Sequence, residues 1–198
     1  FLDNTQYLQV ATKWTPSLVE EVKGISQGAG IDFKRVFFHQ CLDEVGRFLE
    51  HSKNKNITNA QCTGVGCNRI DSQPTMLGQN LDTINTFQNL GIVLHSRDPH
   101  SLIESMVLSR PGVLGIFGLN NTPLGITVNT IDCNYRWDGL PLVFIIREVL
   151  NQPNIESVVN FLNSIPFGVG QNYMVADKEG VLDFECSANQ IAQFIPYS

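Results

Sequence analysis

Gln61-Cys62-Thr63-Gly64-Val65-Gly66-Cys67 marks the point where the texture of the chain changes. Ahead of it runs a polar stretch, Ser52 through Gln61, rich in Asn and Lys and poor in apolar residues. Such a stretch reads as an exposed loop that can be cut. Behind it, short apolar runs separated by turn residues give the pattern of β-strands. Cys62 therefore stands at the entrance to the strand-rich part of the protein. A lone thiol is by default an inert core residue, and it is this position that singles Cys62 out.

Working upstream, the pattern from Thr15 to Phe48 is helical. Thr15 can cap, Pro16 suits a first turn, and Leu18, Val19, Val22 and Ile25 fall on one face. Gly28 and Gly30 end that helix. A second is expected from Phe33 to Leu49, where Val36, Phe37, Cys41, Glu44, Val45 and Phe48 recur at helical spacing, so that the two form a hairpin. Downstream, strands are expected around Thr75–Leu81, Gly91–His95, Val113–Phe117, Gly125–Asn129, Tyr173–Ala176 and Val181–Cys186. Helices are expected at Pro141–Leu150 and Ile155–Asn163, with a hairpin turn at Asp177–Gly180. The whole reads as one α+β domain over residues 1–198, with a helical segment and linker to residue 61 and a strand-rich segment from residue 62.

Composition narrows the function. With 198 residues and 42% hydrophobic content the chain can build a substantial core. Its net charge of -6 carries no basic block able to neutralise several phosphates, which argues against nucleic acid. Arg97, Arg110, Arg136 and Arg147 are isolated and read as surface charges or ion-pair partners. No apolar run approaches the roughly 20 residues that span a bilayer, so a soluble protein is expected, with the cytoplasm favoured over secretion. Its oligomeric state is left open. The five cysteines, Cys41, Cys62, Cys67, Cys133 and Cys186, are odd in number and widely spaced in a chain too large to need disulfide staples, and the Cys62/Cys67 pair lacks a second pair or a His cluster at zinc spacing, so no metal or cofactor is expected. Asn56-Ile57-Thr58 and Asn120-Asn121-Thr122 fit the glycosylation pattern, which is short enough to arise by chance.

Five ordered blocks give the sequence a family likeness. These are Glu20-Glu21-Val22-Lys23-Gly24-Ile25 through Ile31; Cys62-Thr63; Gly78-Gln79-Asn80-Leu81-Asp82; Gly118-Leu119-Asn120 with Gly125 to Asn129; and Asn172-Tyr173 through Glu185. Together they resemble the acyl-coenzyme A:isopenicillin N acyltransferase group, relatives of choloylglycine hydrolases and penicillin V acylases within the N-terminal-nucleophile hydrolases. The resemblance implies a four-layer αββα sandwich and self-cleavage at the Gln61–Cys62 bond, which exposes Cys62 as the nucleophile. It implies that Asp82 contacts the freed amino group and that the family's oxyanion-donating Asn lies after Ser198. From its own chemistry Asn120 is a candidate oxyanion donor, the alternative being an ordinary turn residue beside Asn121 and Thr122, and Gln79, Asn80 and Thr63 are candidate substrate contacts. The resemblance further implies that the protein extends both before Phe1 and after Ser198.

The chemistry of such a site is simple. An amine freed at Cys62 has a pKa of about 8, so it can take the thiol proton without a histidine. Asp82 would hold the resulting ammonium by a charge-assisted hydrogen bond. Strand alternation puts Gln79 and Leu81 on one face and Asn80 and Asp82 on the other. The reading favoured is a self-processing hydrolase that cleaves the linear amide of an N-acyl compound through a thioester, keeping its upstream segment bound. The alternatives are an acyltransferase passing the acyl group to an amine, a ligand-binding homologue without catalysis, and a redox protein using Cys62 and Cys67. A papain-like pair is weaker, because His39 and His51 fall in the helical segment and His95 and His100 flank an exposed turn.

Overall fold

The computed structural model describes residues 1–53, 62–82, 89–98, 101–131 and 138–194. Expectations for the Gln61–Cys62 bond and the linker, the Asn56 glycosylation pattern, His100, Cys133 and Arg136 lie outside these residues.

Among the described residues four α-helices precede Cys62, after a short 3-10 turn at Leu2–Asn4: α1 (Tyr7–Trp14), α2 (Pro16–Ala29), α3 (Phe33–Gln40) and α4 (Leu42–Lys53). Thr15 does not cap α2 with its side chain; its hydroxyl donates to Ala11 O at 3.0 Å and so belongs to the end of α1, a helix the sequence pattern did not suggest. Pro16 takes the first turn of α2 as expected. At the other end Gly30 adopts φ 65°, a left-handed conformation that glycine enters without strain. The expected second helix is broken at Cys41, whose N–H turns back to Phe38 O. The break separates α3 from α4 and re-aims the residues that follow.

After Cys62, β1 (Cys62–Cys67) and β2 (Met76–Leu81) form an antiparallel ribbon. Seven further strands, β3 (Ile92–Arg97), β4 (Glu104–Ser109), β5 (Phe117–Asn120), β6 (Gly125–Thr130), β7 (Gln171–Ala176), β8 (Val181–Ser187) and β9 (Gln190–Phe194), make an antiparallel sheet in chain order. Helices α5 (Leu142–Leu150) and α6 (Ile155–Ser164) interrupt the sequence between β6 and β7. Of the run Val113–Phe117, expected as a strand, only Phe117 joins one, as the first residue of β5, and residues 113–116 form a loop. Val113 and Leu114 are buried as the apolar run required, but apart from Val113 N–H, which turns back to Arg110 O, their backbone groups go to side chains: Ser109 Oγ donates to Val113 O, Leu114 N–H donates to Gln40 Oε1, and Arg147 donates to Leu114 O. Burial was legible there; the ladder was not.

The ribbon lies against one face of the large sheet. A methyl group at Gly64 would come within 2.9 Å of Asn129 Nδ2, and one at Gly66 within 2.6 Å of Met174 Sδ, so glycine lets the backbones of β1 and the sheet approach. Helices cover the opposite face. There α5 is buried along nearly its whole length, Leu150 reaches under Gly118 of β5, and Phe144 stacks on Phe37 of α3 at 5.6 Å. The class is therefore α+β, with three layers among the described residues: ribbon, sheet and helices.

One buried cluster joins both sides of residue 61. It takes Tyr7, Ala11, Leu18, Val19, Val22, Val36 and Phe37 from the upstream helices and packs them with Ile126, Phe144, Ile146, Tyr173 and Phe184. Each large side chain so buried contributes roughly 1.5–3 kcal/mol. Polar ties cross the same boundary. Arg147, its side chain only 3% exposed, is no surface charge: it grips both carboxylate oxygens of Glu21 at 2.8 Å and donates also to Leu114 O and Ser96 Oγ. Gln40 donates to Gly112 O at 2.6 Å while accepting from Leu114 N. No helix among the described residues is long and apolar enough to cross a membrane.

Glu44 of α4 makes a third tie, accepting from Leu142 N at the start of α5 at 2.9 Å, while its other oxygen is buried without a partner. Burial, reinforced by the neighbouring charge of Asp43, pushes its pKa from 4.5 to about 8. The native state thus holds a proton that the unfolded chain releases, and stability should fall as pH rises from about 4.5 to about 8. Glu44→Gln keeps the acceptor for Leu142 and removes the titration. It should match the parent at pH 5 and exceed it by a few kcal/mol at pH 8, read from urea midpoints at the two pH values. Parallel pH profiles for parent and variant would remove Glu44 as the source.

Candidate active site

Cys62 is the first residue of β1 and pairs with Leu81, while Thr63 pairs with Asn80 and Gly64 with Gln79. Alternation along the ribbon turns Cys62, Gly64 and Gly66 inward, toward the large sheet, and Thr63, Val65 and Cys67 outward. The sulfur is thus the only side chain beyond hydrogen on the inner face of β1. Gln79 and Leu81 share that face. Thr63 and Asn80 occupy the other, so the expectation that both meet a substrate beside the sulfur is not carried forward.

A gap in the large sheet lies under this point. Leu124, Ile126 and Val128 address their backbone groups to β5: Asn120 N donates to Leu124 O, and Ile126 pairs with Gly118. Val128 would next pair with Ile116, but Ile116 N donates to Leu108 O as the chain bends into the 110–116 loop. The edge left open is filled by a side chain. Gln79 Nε2 donates to Val128 O at 2.6 Å, and Val128 N donates to Gln79 Oε1 at 3.0 Å, so one carboxamide replaces a strand residue and ties ribbon to sheet.

The electrostatic surroundings of the thiol come from three segments. Burial pushes the Cys62 thiol up; a hydrogen bond from the Gln79 side chain opposes this, the Asp43 and Asp82 carboxylates add to it, and the Asp82 backbone N–H lowers it. Asp43, at the start of α4, is open to solvent by surface area yet densely surrounded by protein. That crowding raises its carboxyl, against the pull of the Arg110 and Arg47 guanidiniums. Arg110, half-buried, is lowered by burial and raised by Asp43 and by Cys62. It stands at the head of the loop that Gln40 clamps to the end of α3. Asp43 and Arg110 were not singled out in the sequence as site residues. Asp43 carries no motif, and Arg110 gains its place only from a loop that closes against a helix far away in the chain.

Asp82 follows β2, and its carboxylate accepts from Asn80 Nδ2 at 2.7 Å on the outward side. Asn120 does not join the group. It is 2% exposed, on the helix-covered face of the sheet, with its Nδ2 hydrogens given to Leu150 O and Gln152 O and its Oδ1 accepting from Thr122 and Leu124. Every polar atom of the side chain closes a turn and the end of α5. The expectation of an oxyanion donor at Asn120 is corrected accordingly, and the same burial denies a glycan access to its amide.

Cys62 and Cys67 lie at opposite ends of a six-residue strand on opposite faces. The strand length is about 17 Å, far beyond disulfide reach, which removes the redox pair. Among the described residues no group of three or more His, Cys, Asp or Glu side chains is arranged to hold a metal ion.

Residues 68–194 match the family model described as acyl-coenzyme A:6-aminopenicillanic acid acyl-transferase. The matched stretch begins after β1 and includes Gln79, Asp82 and Asn120. A search of curated proteins finds no match to the chain.

Proposed function

Because the chain belongs to the acyl-coenzyme A:6-aminopenicillanic acid acyl-transferase family, which it matches over residues 68–194, we propose that Cys62 is the nucleophile of a self-processing amide hydrolase. The observation that carries this reading is the isolation of the Cys62 sulfur on the inner face of β1, diagonally across the ribbon from Gln79, whose carboxamide fills the open edge of β6 at Val128. In processing, the thiol attacks the Gln61 carbonyl and the acyl group passes from nitrogen to sulfur. Water then cleaves the thioester, leaving Gln61 with a carboxylate and Cys62 with a free amine. In turnover that amine takes the thiol proton and the sulfur attacks the carbonyl of an N-acyl compound. The amine product leaves with the proton, and water releases the carboxylic acid from the thioester.

The family's description names acyl transfer, which supports a second reading in which an amine replaces water in the last step. The two part on one experiment. Cleaved protein is incubated with N-acyl amino acids and acyl thioesters, and the adduct on Cys62 is trapped and weighed. Decay of the adduct to free acid supports hydrolysis; decay only on adding an amine supports transfer. No adduct from any donor would sink both.

The upstream segment is proposed to stay bound after the cut, supported by the shared core and the ties through Glu21, Gln40 and Glu44. A four-layer αββα arrangement is also part of the proposal: Val65 and Met76, 58% and 54% exposed on the outer face of the ribbon, are where a second helical layer would pack. Asp82 is proposed to hold the Cys62 ammonium. Asp82→Asn should fold and melt as the parent does, since the side chain is exposed. Its turnover should fall roughly ten- to hundredfold, the cost of one hydrogen bond to a charged group. Equal kcat in parent and variant would take Asp82 out of the mechanism.

A further inference from the structure

We propose that the Gln79 carboxamide is the fixed hydrogen-bond donor to the Cys62 sulfur, holding the thiolate in place for attack; the inference rests on the reading of Cys62 as nucleophile. A primary amide carries one acceptor oxygen and two N–H donors. Val128 offers it one N–H and one C=O, so Oε1 must face Val128 N and one Nε2 hydrogen must face Val128 O, at 3.0 and 2.6 Å. Those two bonds lock the plane of the amide and leave the second N–H unused by Val128. Gln79 pairs across the ribbon with Gly64, one step diagonally from Cys62, on the same inward face. A diagonal cross-strand neighbour lies within reach of a long side chain. Gly64 stands between them with no side chain to intervene, and any added there would strike Asn129.

The chemistry calls for such a donor. Burial and two neighbouring carboxylates disfavour charge on the sulfur, and the Gln79 side chain is the largest influence in the other direction. A donor already locked by the backbone of β6 loses no freedom when the proton leaves the sulfur and negative charge develops there. Gln79 thereby has two attachments, one to the fold and one to the reacting atom.

The test uses Gln79→Met, which removes the hydrogen without adding charge, and Gln79→Glu, which when protonated can satisfy both groups of Val128 yet has no hydrogen left for the sulfur. Iodoacetamide alkylation of the full chain is followed against pH at the Cys62 peptide by mass spectrometry, with exposed Cys67 as internal reference. In both variants the Cys62 midpoint should rise by about one unit, slowing its alkylation at pH 7 about tenfold, while the Cys67 curve stays put. An unchanged Cys62 midpoint in a folded variant, with only the melting temperature lowered, would reduce Gln79 to a clamp and overturn the proposal. Should neither variant fold, the parent decides: a Gln79 side-chain N–H resonance should follow the ionisation of Cys62 and lose that response once Cys62 is alkylated, and a resonance indifferent to both overturns the proposal equally. Neither readout needs a substrate or a cut chain. Failure of this test is therefore distinct from failure to form an acyl adduct, which would count against the nucleophile itself.

Discussion

Cys62→Ala is expected to remain one uncut chain and to take up no acyl group from any donor. Both outcomes follow from a single atom, because in the proposed mechanism the same sulfur opens the Gln61 carbonyl in processing and receives the acyl group in turnover. Packing should not suffer. Cys62 is only partly buried at a strand end, so the loss of one sulfur costs little beside the core that α5 and the sheet form. The measurement is the intact mass of purified protein after prolonged storage, parent beside variant, with circular dichroism to show an unchanged fold. A variant cut at the same bond would mean that an outside protease makes the cut. An uncut parent, stable over the same storage, would remove self-processing while leaving Cys62 open to chemistry as an internal residue.

Glu21→Ala is expected to destabilise the protein by roughly 3–5 kcal/mol, a large share of the 5–15 kcal/mol of an ordinary domain. The size comes from what is left behind. Arg147 would keep its charge at 3% exposure with only Leu114 O and Ser96 Oγ as partners, and its Nε already lacks one. Removing both partners, as in Glu21→Ala with Arg147→Met, should restore much of the loss, since an apolar side chain of similar volume suits that position. Urea denaturation of the single and double variants checks this. A single variant within about 1 kcal/mol of the parent, the range of exposed pairs, would show that water reaches Arg147.

The sequence disclosed the elements with strong periodicity. The faces of α2 and α5 were legible from Leu18, Val19 and Val22 and from the run beginning at Leu142, and α6 from Ile155 and Val158. So were β6, β7 and β8, which alternate or run apolar between clear turns. What it could not disclose depends on partners distant in the chain. Val113–Phe117 looks like a buried strand because it is apolar, and its first four residues form a loop because Gln40 from α3, with Ser109 and Arg147, takes the backbone groups a ladder would use. α1 escaped notice because Tyr7 and Ala11 are its only fully buried residues, too few to mark a face. β9 has an almost wholly exposed pattern and carries no apolar alternation to read. The candidate site divides the same way. Cys62, Gln79 and Asp82 stand in motifs along one hairpin, and a hairpin brings its own residues together. Asn120 stands in a motif too, yet the alternation of β5 sends it to the helical face. Asp43 and Arg110 reach the sulfur only through tertiary closure, and no local pattern announces that.

If the chain is cut as proposed, the shared core determines how long the cut protein lasts. While residues 61 and 62 remain joined, Tyr7, Val22 and Phe37 find Phe144 and Tyr173 within one molecule, and unfolding is a unimolecular event that can reverse. After the cut the same contacts connect two molecules, and mass action enters: their association depends on protein concentration, and each excursion that parts them must be undone by a second-order encounter. On dilution that encounter becomes slow beside aggregation or proteolysis of the separated pieces, so persistence is governed by the rate of coming apart. Maturation would thus exchange a fold protected by equilibrium for one protected by its barrier. The upstream helices, spectators to the chemistry by sequence, would become the part whose departure ends the life of the active protein.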